Sequence, residues 1–277
     1  MSDLALAIAT KGEWDPERLL AELREAGITP ATEIQVACGR APKCSPSGLN
    51  IHSSENASLF ELWAIAIERS KAEWIAILHA DALPAPGWLA AMQTAMAGES
   101  WEDGYWGPVE PGFGPSDPRM VGYLTEYVQF HRPLDPALTE VPGSNLVILR
   151  RRTDGGTDFS KTRLLGEGLT PKRVEDAVVQ YARSFALRDY CGRRFRHGRS
   201  YAAKRTPKLS LLVAIPMTLA LPFVRTARIL GHAWRHPQFR MASLRWLPEI
   251  FVAETCWSAG ELVGYVTGEA GDASALD

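Results

Sequence analysis

Cysteine is scarce in this chain: Cys38, Cys44, Cys191 and Cys256 are the only four in 277 residues. None forms a Cys-x-x-Cys pair and no histidine cluster lies close to them in sequence, so neither a zinc ribbon nor a dithiol redox motif is indicated. They read as the scattered reduced thiols of a cytoplasmic protein. Bulk charge is also lacking. A net charge of -2 excludes a globally basic nucleic-acid binder, and no nucleic-acid partner is expected. Residues 1–10 carry no basic n-region before their short apolar run, and read as a first strand rather than a signal peptide. No internal repeat is visible. With 46% hydrophobic and 22% charged residues the composition is that of an ordinary globular chain, of one or two domains, long enough to bury its own core. A stapled miniprotein, a collagen-like chain and a wholly disordered chain are excluded.

The charge is unevenly spread. Residues 183–245 hold fourteen basic side chains and one acid, Asp189, a balance of +13 against -15 for the rest. Such asymmetry points to a polyanionic surface or ligand. Within this stretch lies LSLLVAIPMTLALPFV, residues 209–224, sixteen positions without charge between Lys208 and Arg225. A spanning helix needs about 20 apolar residues, and Pro216 and Pro222 disturb a helix. Basic flanks around a short apolar run suit a segment lying on, or dipping into, an anionic leaflet; a buried core helix is the competing reading. Residues 246–268 mix Ile250, Trp257, Leu262 and Tyr265 with Glu249, Glu254 and Glu261. The acids make free spanning costly, so an amphipathic helix packed on the preceding segment is expected. Residues 269–277 read as a small acidic tail.

The first half alternates. Residues 4–9 form a strand, 15–26 a helix stopped by Gly27, 33–37 a second strand, 59–69 a helix, 74–78 a third strand, and Pro86-Gly87-Trp88 opens a helix to about residue 97. Residues 40–52 and 98–119 are rich in Gly and Pro and read as loops. Residues 120–131 read as a helix and 146–149 as a strand. Strands and helices in this order argue a mainly parallel α/β sheet, which binds ligands beyond the carboxyl ends of its strands. His79-Ala80-Asp81 stands at such an end.

Five pieces in order carry a family resemblance: WIAILHADALPAPGWL (residues 74–89); the turn Gly107-Pro108; Gly143-x-Asn145 before a strand ending in Arg150-Arg151; Gly198-Arg199 with Arg205 six positions on; and WSAGELVGY, residues 257–265. Their order and spacing resemble the bacterial, membrane-associated family 2 glycosyltransferases of the GT-A fold, over roughly residues 4–268. The resemblance implies a GT-A catalytic domain over 1–182, a helical membrane-associating region over 183–268 and a tail over 269–277. It implies transfer of a sugar from a nucleotide-sugar to a lipid-linked or glycan acceptor, at the cytoplasmic side of an anionic membrane surface.

Family members hold a divalent cation, magnesium or manganese, with an Asp-x-Asp motif after the third strand. A hard cation stabilises the charge that develops on the leaving diphosphate. Here His79 takes the first position and Asp81 the second, so these two are the implied metal residues. Thr10, Asp81, Gly143 and Asn145 are the implied nucleotide-sugar contacts, and Arg199 and Arg205 the implied phosphate or headgroup clamps. The general base that takes the acceptor proton maps onto Asp158 or Glu167, with Lys161 where the acid is expected. Glu175-Asp176 resembles an acidic-pair motif superficially and also suits an exposed helix start. The second strand ends in Ala37-Cys38-Gly39, with no acid to meet a nucleobase. These departures keep a second reading open: a non-catalytic docking subunit on a glycosyltransferase-like scaffold. A nucleotidyltransferase is a third, but Thr10-Lys11-Gly12 is too little for its phosphate loop.

Overall fold

The computed structural model describes residues 3–11, 14–98, 103–153, 170–205 and 211–271. The chain divides into two compact units. The first, Met1–Gly112 with Phe130–Ala182, contains every described strand. The second, Phe113–Gln129 with Arg183–Asp277, is helical.

In the first unit β1 (Leu4–Thr10), β2 (Ile34–Cys38), β3 (Asn50–Ser53) and β4 (Trp74–His79) form a parallel block in the order β3-β2-β1-β4. All seven residues of β1 are buried, as expected of a parallel strand covered on both faces. Its alternation separates two surfaces. Leu4, Leu6 and Ile8 join one apolar cluster with Leu19 and Leu23 of α1 (Pro16–Glu25) and Trp88 and Met92 of α3 (Trp88–Ala97). Ala5, Ala7 and Ala9 take the other face, and the helix packed on β1 and β2 there is α2 (Leu59–Arg69). Burying each large side chain such as Leu6, Ile8 or Leu23 contributes about 1.5–3 kcal/mol.

Local signals set the helix starts. Asp15 caps α1, its carboxylate accepting from the Glu17 amide at 2.9 Å, with Pro16 in the first turn. Ser58 and Glu61 form a reciprocal capping box on α2, at 3.3 and 2.6 Å. After α1 the chain turns at Gly27, whose φ of 90° is open to glycine at little cost.

The sheet continues beyond β4 in mixed fashion. The short β5 (Ala82–Pro84) follows β4; β6 (Tyr105–Trp106) and β7 (Val109–Pro111) come next in sequence. Then β8 (Leu146–Leu149) returns antiparallel to β4, β9 (Lys172–Arg173) pairs with β6, and β10 (Val179–Tyr181) joins β5 antiparallel and β7 parallel. The expected α/β architecture with a mostly parallel central sheet is present.

The second unit takes α4 (Met120–Glu126) from the middle of the sequence and α5 (Leu187–Arg205), α6 (Leu211–Trp234), α7 (Pro237–Arg245) and α8 (Leu247–Thr267) from its end. The expected break after 182 thus leaves out one element: 113–129 sits with the later helices. Here α5 and α8 run side by side in the same direction, closely packed at glycines. A Cβ on Gly198 would lie 2.1 Å from the Trp257 carbonyl oxygen, and one on Gly260 1.9 Å from that of Phe195. Glu254 and Glu261 of α8 are buried against arginine: Arg194 of α5 reaches Glu254, and Arg225 of α6 lies 2.6 Å from Glu261. The Trp257 indole donates to Glu261 at 2.9 Å, and the Arg194 guanidinium stacks over the Trp257 ring at 4.2 Å. Glu126 of α4 is half-buried. That burial is outweighed by Arg193, Arg194 and Arg183, which hold its carboxyl below the ordinary glutamate range.

Candidate active site

The parallel block ends along one edge, and Thr10, His79 and Asp81 lie there. β1 ends at Thr10, β2 at Cys38 and β4 at His79, in register. Backbone bonds hold the chain as it leaves the sheet: Gly39 N to Thr10 O at 2.9 Å, Ala80 N to Ala9 O at 3.2 Å, and Ala182 N to Asp81 O at 2.8 Å. Thr10 is 3% exposed and faces inward.

His79 is almost buried while the Asp81 side chain is 43% exposed. The Asp81 amide donates to His79 Nδ1 at 3.0 Å, and an Asp81 carboxylate oxygen lies 3.6 Å from the same nitrogen. A ring nitrogen that accepts an N–H bond carries no proton, so Nε2 holds the proton of the neutral ring. His79 thereby braces the turn at Asp81. Beneath it the Trp63 indole donates to the Leu78 carbonyl at 2.6 Å, fixing the end of β4.

Among the described residues no group of three or more His, Cys, Asp or Glu is placed to hold a metal ion. The donor set still suits one kind of cation. Magnesium and manganese sites are commonly completed by substrate phosphates around one or two carboxylates, and Asp81 supplies one exposed carboxylate where a diphosphate would lie. His79 Nδ1 is taken by the Asp81 amide.

Asn145 is fully buried and heavily used. Its amide nitrogen donates to the carbonyls of Pro108 and Ala177, both at 2.8 Å, and its oxygen accepts from the Trp88 indole at 2.9 Å. It ties the start of α3, the Gly107-Pro108 turn and the approach to β10 together. The direct donor contact implied for Asn145 is not made by a side chain so enclosed; its part is to position. Gly107 is required beside it, since a Cβ there would lie 2.0 Å from the Ala177 oxygen. Gly143 is different: a Cβ would meet nothing within 4 Å, so space around its backbone is open.

Glu175 and Asp176 precede β10, at the end of that strand paired with Pro84, whereas Asp81 abuts its opposite end through Ala182. The acidic pair is therefore not brought to Asp81. Asp158 and Glu167 lie outside the described residues. Arg199, in the second unit, is already engaged: its guanidinium donates to the Glu269 carbonyl at 3.0 Å and to the Glu269 carboxylate at 3.3 Å. Arg205 closes α5, and its side chain lies outside the described residues.

One residue at the edge escaped the sequence reading. The Trp14 indole nitrogen is buried beside the Cys38 thiol, whose pKa is pushed up by burial, partly offset by a hydrogen bond with Trp14. The Cys38 thiol donates to the His52 carbonyl at 3.4 Å. A lone tryptophan after a strand carries no spacing signal, and only the fold brings it to β2.

Comparison with known proteins agrees with this architecture. A mannosyltransferase from Pyrobaculum calidifontis, solved in complex with GDP-Man and Mn2+, is 17% identical, with 94% of this chain and 85% of that one covered and a TM-score of 0.50. Glucosyl-3-phosphoglycerate synthase from Mycobacterium tuberculosis, solved with phosphoglyceric acid, is 12% identical over 67% of this chain and 74% of that one, with a TM-score of 0.43. TarS 1-349 from S. aureus is 9% identical over 69% and 63%, with a TM-score of 0.42. No protein-family model and no curated protein sequence matches the chain. The likeness to the mannosyltransferase, at this identity, is one of fold: a mixed α/β, GT-A-like glycosyltransferase fold.

Proposed function

We propose that the chain is a glycosyltransferase. It takes a nucleotide-sugar donor at the carboxyl edge of its parallel block and passes the sugar to a lipid-linked or glycan acceptor at the cytoplasmic face of an anionic membrane. One observation carries this reading: the edge built by Thr10, Gly39 and Asp81 leaves a single braced carboxylate exposed where an α/β sheet of this fold takes its ligand. Donor recognition falls to the open backbone at Gly143 and to Trp14 beside β2, and Asn145 holds the neighbouring turns in place. Asp81 is the residue that would hold magnesium or manganese on the diphosphate. Such a cation, when bound, offsets the charge left on the departing nucleoside diphosphate. The acceptor oxygen bonds to the anomeric carbon as the bond from that carbon to the diphosphate breaks. Asp158 or Glu167 takes the acceptor proton. The arginine-rich second unit, including Arg199 and Arg205, meets the anionic surface.

The test is thermal stabilisation by UDP, GDP, dTDP and CDP, each with and without manganese. A ligand at about 100 times its dissociation constant adds about 2.7 kcal/mol to the folded state, a rise of several degrees for a chain of this size. The expected result is a shift needing one nucleotide plus metal and lost in Asp81→Asn, with transfer abolished in Asp81→Ala. Full transfer by that variant would sink the assignment. One observation favours a second reading, a non-catalytic docking subunit: His79 stands where a first carboxylate would be and is spent on the Asp81 amide. That reading predicts no shift with any nucleotide.

A further inference from the structure

In the second unit, the first part of α6 turns its apolar side outward. Along α6, Leu212, Ile215, Leu219 and Phe223 recur on one stripe at helical spacing, and this stripe faces outward. Leu212 is 88% exposed, Leu219 67% and Phe223 65%. Over residues 212–226 the buried positions are Ala214, Thr218, Pro222 and Thr226, small or hydroxylic; further along, Ile229 and Ala233 are buried. An amphipathic helix on a water-facing protein does the reverse. α8 buries Glu254, Ser258, Gly260 and Glu261 together with Ile250 and Tyr265.

Several hydroxyls of these helices bond within their own helix. Thr218 donates to the Ala214 carbonyl, Thr255 to that of Phe251 and Ser258 to that of Glu254, each one turn back and at 2.8–2.9 Å. The glycine-mediated approach of α5 and α8, with its buried Arg194–Glu254 pair, is how helices associate when hydrocarbon surrounds them: small residues at the seam, charges turned inward and paired.

We infer that the exposed stripe of α6 is immersed in the hydrocarbon of one leaflet of an anionic bilayer, with the helix lying along the membrane and not across it. The inference rests on the reading that this unit meets a membrane, and adds what touches the lipid and how deeply. Charge selects lipid as the occupant. Arg228, Arg235, Arg240 and Arg245 are exposed on the C-terminal part of α6 and on α7, following the apolar stretch. A second copy docked two-fold on this face would bring like charges together, whereas anionic headgroups complement them. Length selects the depth. The helix Leu212–Trp234 is long enough to cross a bilayer, but its uncharged part, Leu212 to Val224, rises only ~20 Å against a hydrocarbon core of ~30 Å. Beyond it, Arg225 is pinned to Glu261 of α8, so α6 cannot move across the bilayer without its neighbour and both charges.

The experiment uses the full chain and sealed vesicles, of phosphatidylcholine alone or mixed with phosphatidylglycerol, read by flotation. The wild type should float with the anionic vesicles and resist a high-salt wash. The double variant Leu219→Glu/Phe223→Glu should bind them roughly a hundredfold or more weakly, because two large side chains leave hydrocarbon. Leu212→Gln, at the most exposed position, is a milder version expected to fall in the same direction if the double variant folds poorly. Unchanged flotation in both would overturn the insertion. So would removal of the wild type by salt alone, which is the behaviour of a purely electrostatic contact. A wild-type dimer that the variants convert to monomer would replace lipid with a second copy. Protection of either chain terminus from protease added outside would show crossing and overturn the in-plane placement. Nucleotide-dependent stabilisation is measured on the same proteins. Its absence beside normal flotation would remove the enzyme reading and leave the insertion standing, and its persistence in the variants would show the first unit intact.

Discussion

The tightest contact in the helical unit can be tested with one methyl group. In a helix interior, replacing glycine by alanine is favourable by about 0.8–1.0 kcal/mol. Gly231, exposed on α6 with nothing within 4 Å of an added Cβ, should show that gain. Gly260 on α8 should not. Its added Cβ would lie 1.9 Å from the Phe195 oxygen, 2.8 Å from that residue's carbonyl carbon and 2.9 Å from the Arg199 nitrogen. All three are backbone atoms of α5, so no side chain can turn aside and the helices must separate by more than an ångström. Overpacking of this kind costs about 1–3 kcal/mol, and here the separation also loosens the Arg194–Glu254 pair and the stack on Trp257. We expect Gly260→Ala to be net destabilised by about 1–2 kcal/mol and Gly231→Ala to be slightly stabilised. At about 2–4 °C per kcal/mol the two variants should part by several degrees in a thermal melt under identical conditions. A Gly260→Ala protein melting at or above Gly231→Ala would refute the close approach of α5 and α8, and with it the account of the unit's interior.

Two further outcomes concern buried polar groups. Asn145→Ala removes three buried hydrogen bonds and leaves the Trp88 indole and two carbonyls without partners; at about 1 kcal/mol each the loss should be about 3 kcal/mol, read by denaturant titration, and a loss under about 1 kcal/mol would contradict the strut role. Burial, then nearby Arg69 for His52 and Arg235 for His236, holds both histidines below their ordinary value near 6.5. The unfolded chain then binds more protons, so stability is complete above about pH 6.5 and falls as pH drops below it. Replacing either histidine by glutamine should flatten the stability slope between about pH 7 and pH 5.5, and an unchanged slope would discount both.

How much of this was legible depended on length and periodicity. The spacing in LFELWAIAIER placed α2 at Leu59–Arg69, and the apolar runs at residues 4–9 and 146–149 located β1 and β8. The stretch 40–52 read as loop because its last residues, Asn50–Ser53, form an edge strand with no apolar run; β3 exists only because β2 offers it a ladder. The two- and three-residue strands β5, β6, β7, β9 and β10 are too short to show any alternation. Residues 120–131 gave a helix only to Glu126. In the site, Asp81 was legible from its position after an apolar strand. The use of Asn145 was not: an Asn after a Gly turn looks the same whether it faces a ligand or spans three loops. Glu254 and Glu261 were read as forbidding a free span. Their partners, Arg194 and Arg225, lie dozens of residues away in sequence and could not be read from it.

The division of the second unit between two stretches of sequence has a consequence for how the protein is made. α4 leaves the ribosome more than a hundred residues before α8, yet Tyr123 of α4 is fully buried and its ring packs 5.6 Å from that of Phe239 on α7. At typical synthesis rates α4 waits on the order of ten seconds for its partners. During that interval Met120, Val121, Tyr123 and Leu124 have nothing to cover them. A nascent chain of this design depends on a chaperone, or on the membrane itself, to shelter those side chains. A fragment ended at residue 182 would keep that exposure for good, and should aggregate however sound its sheet.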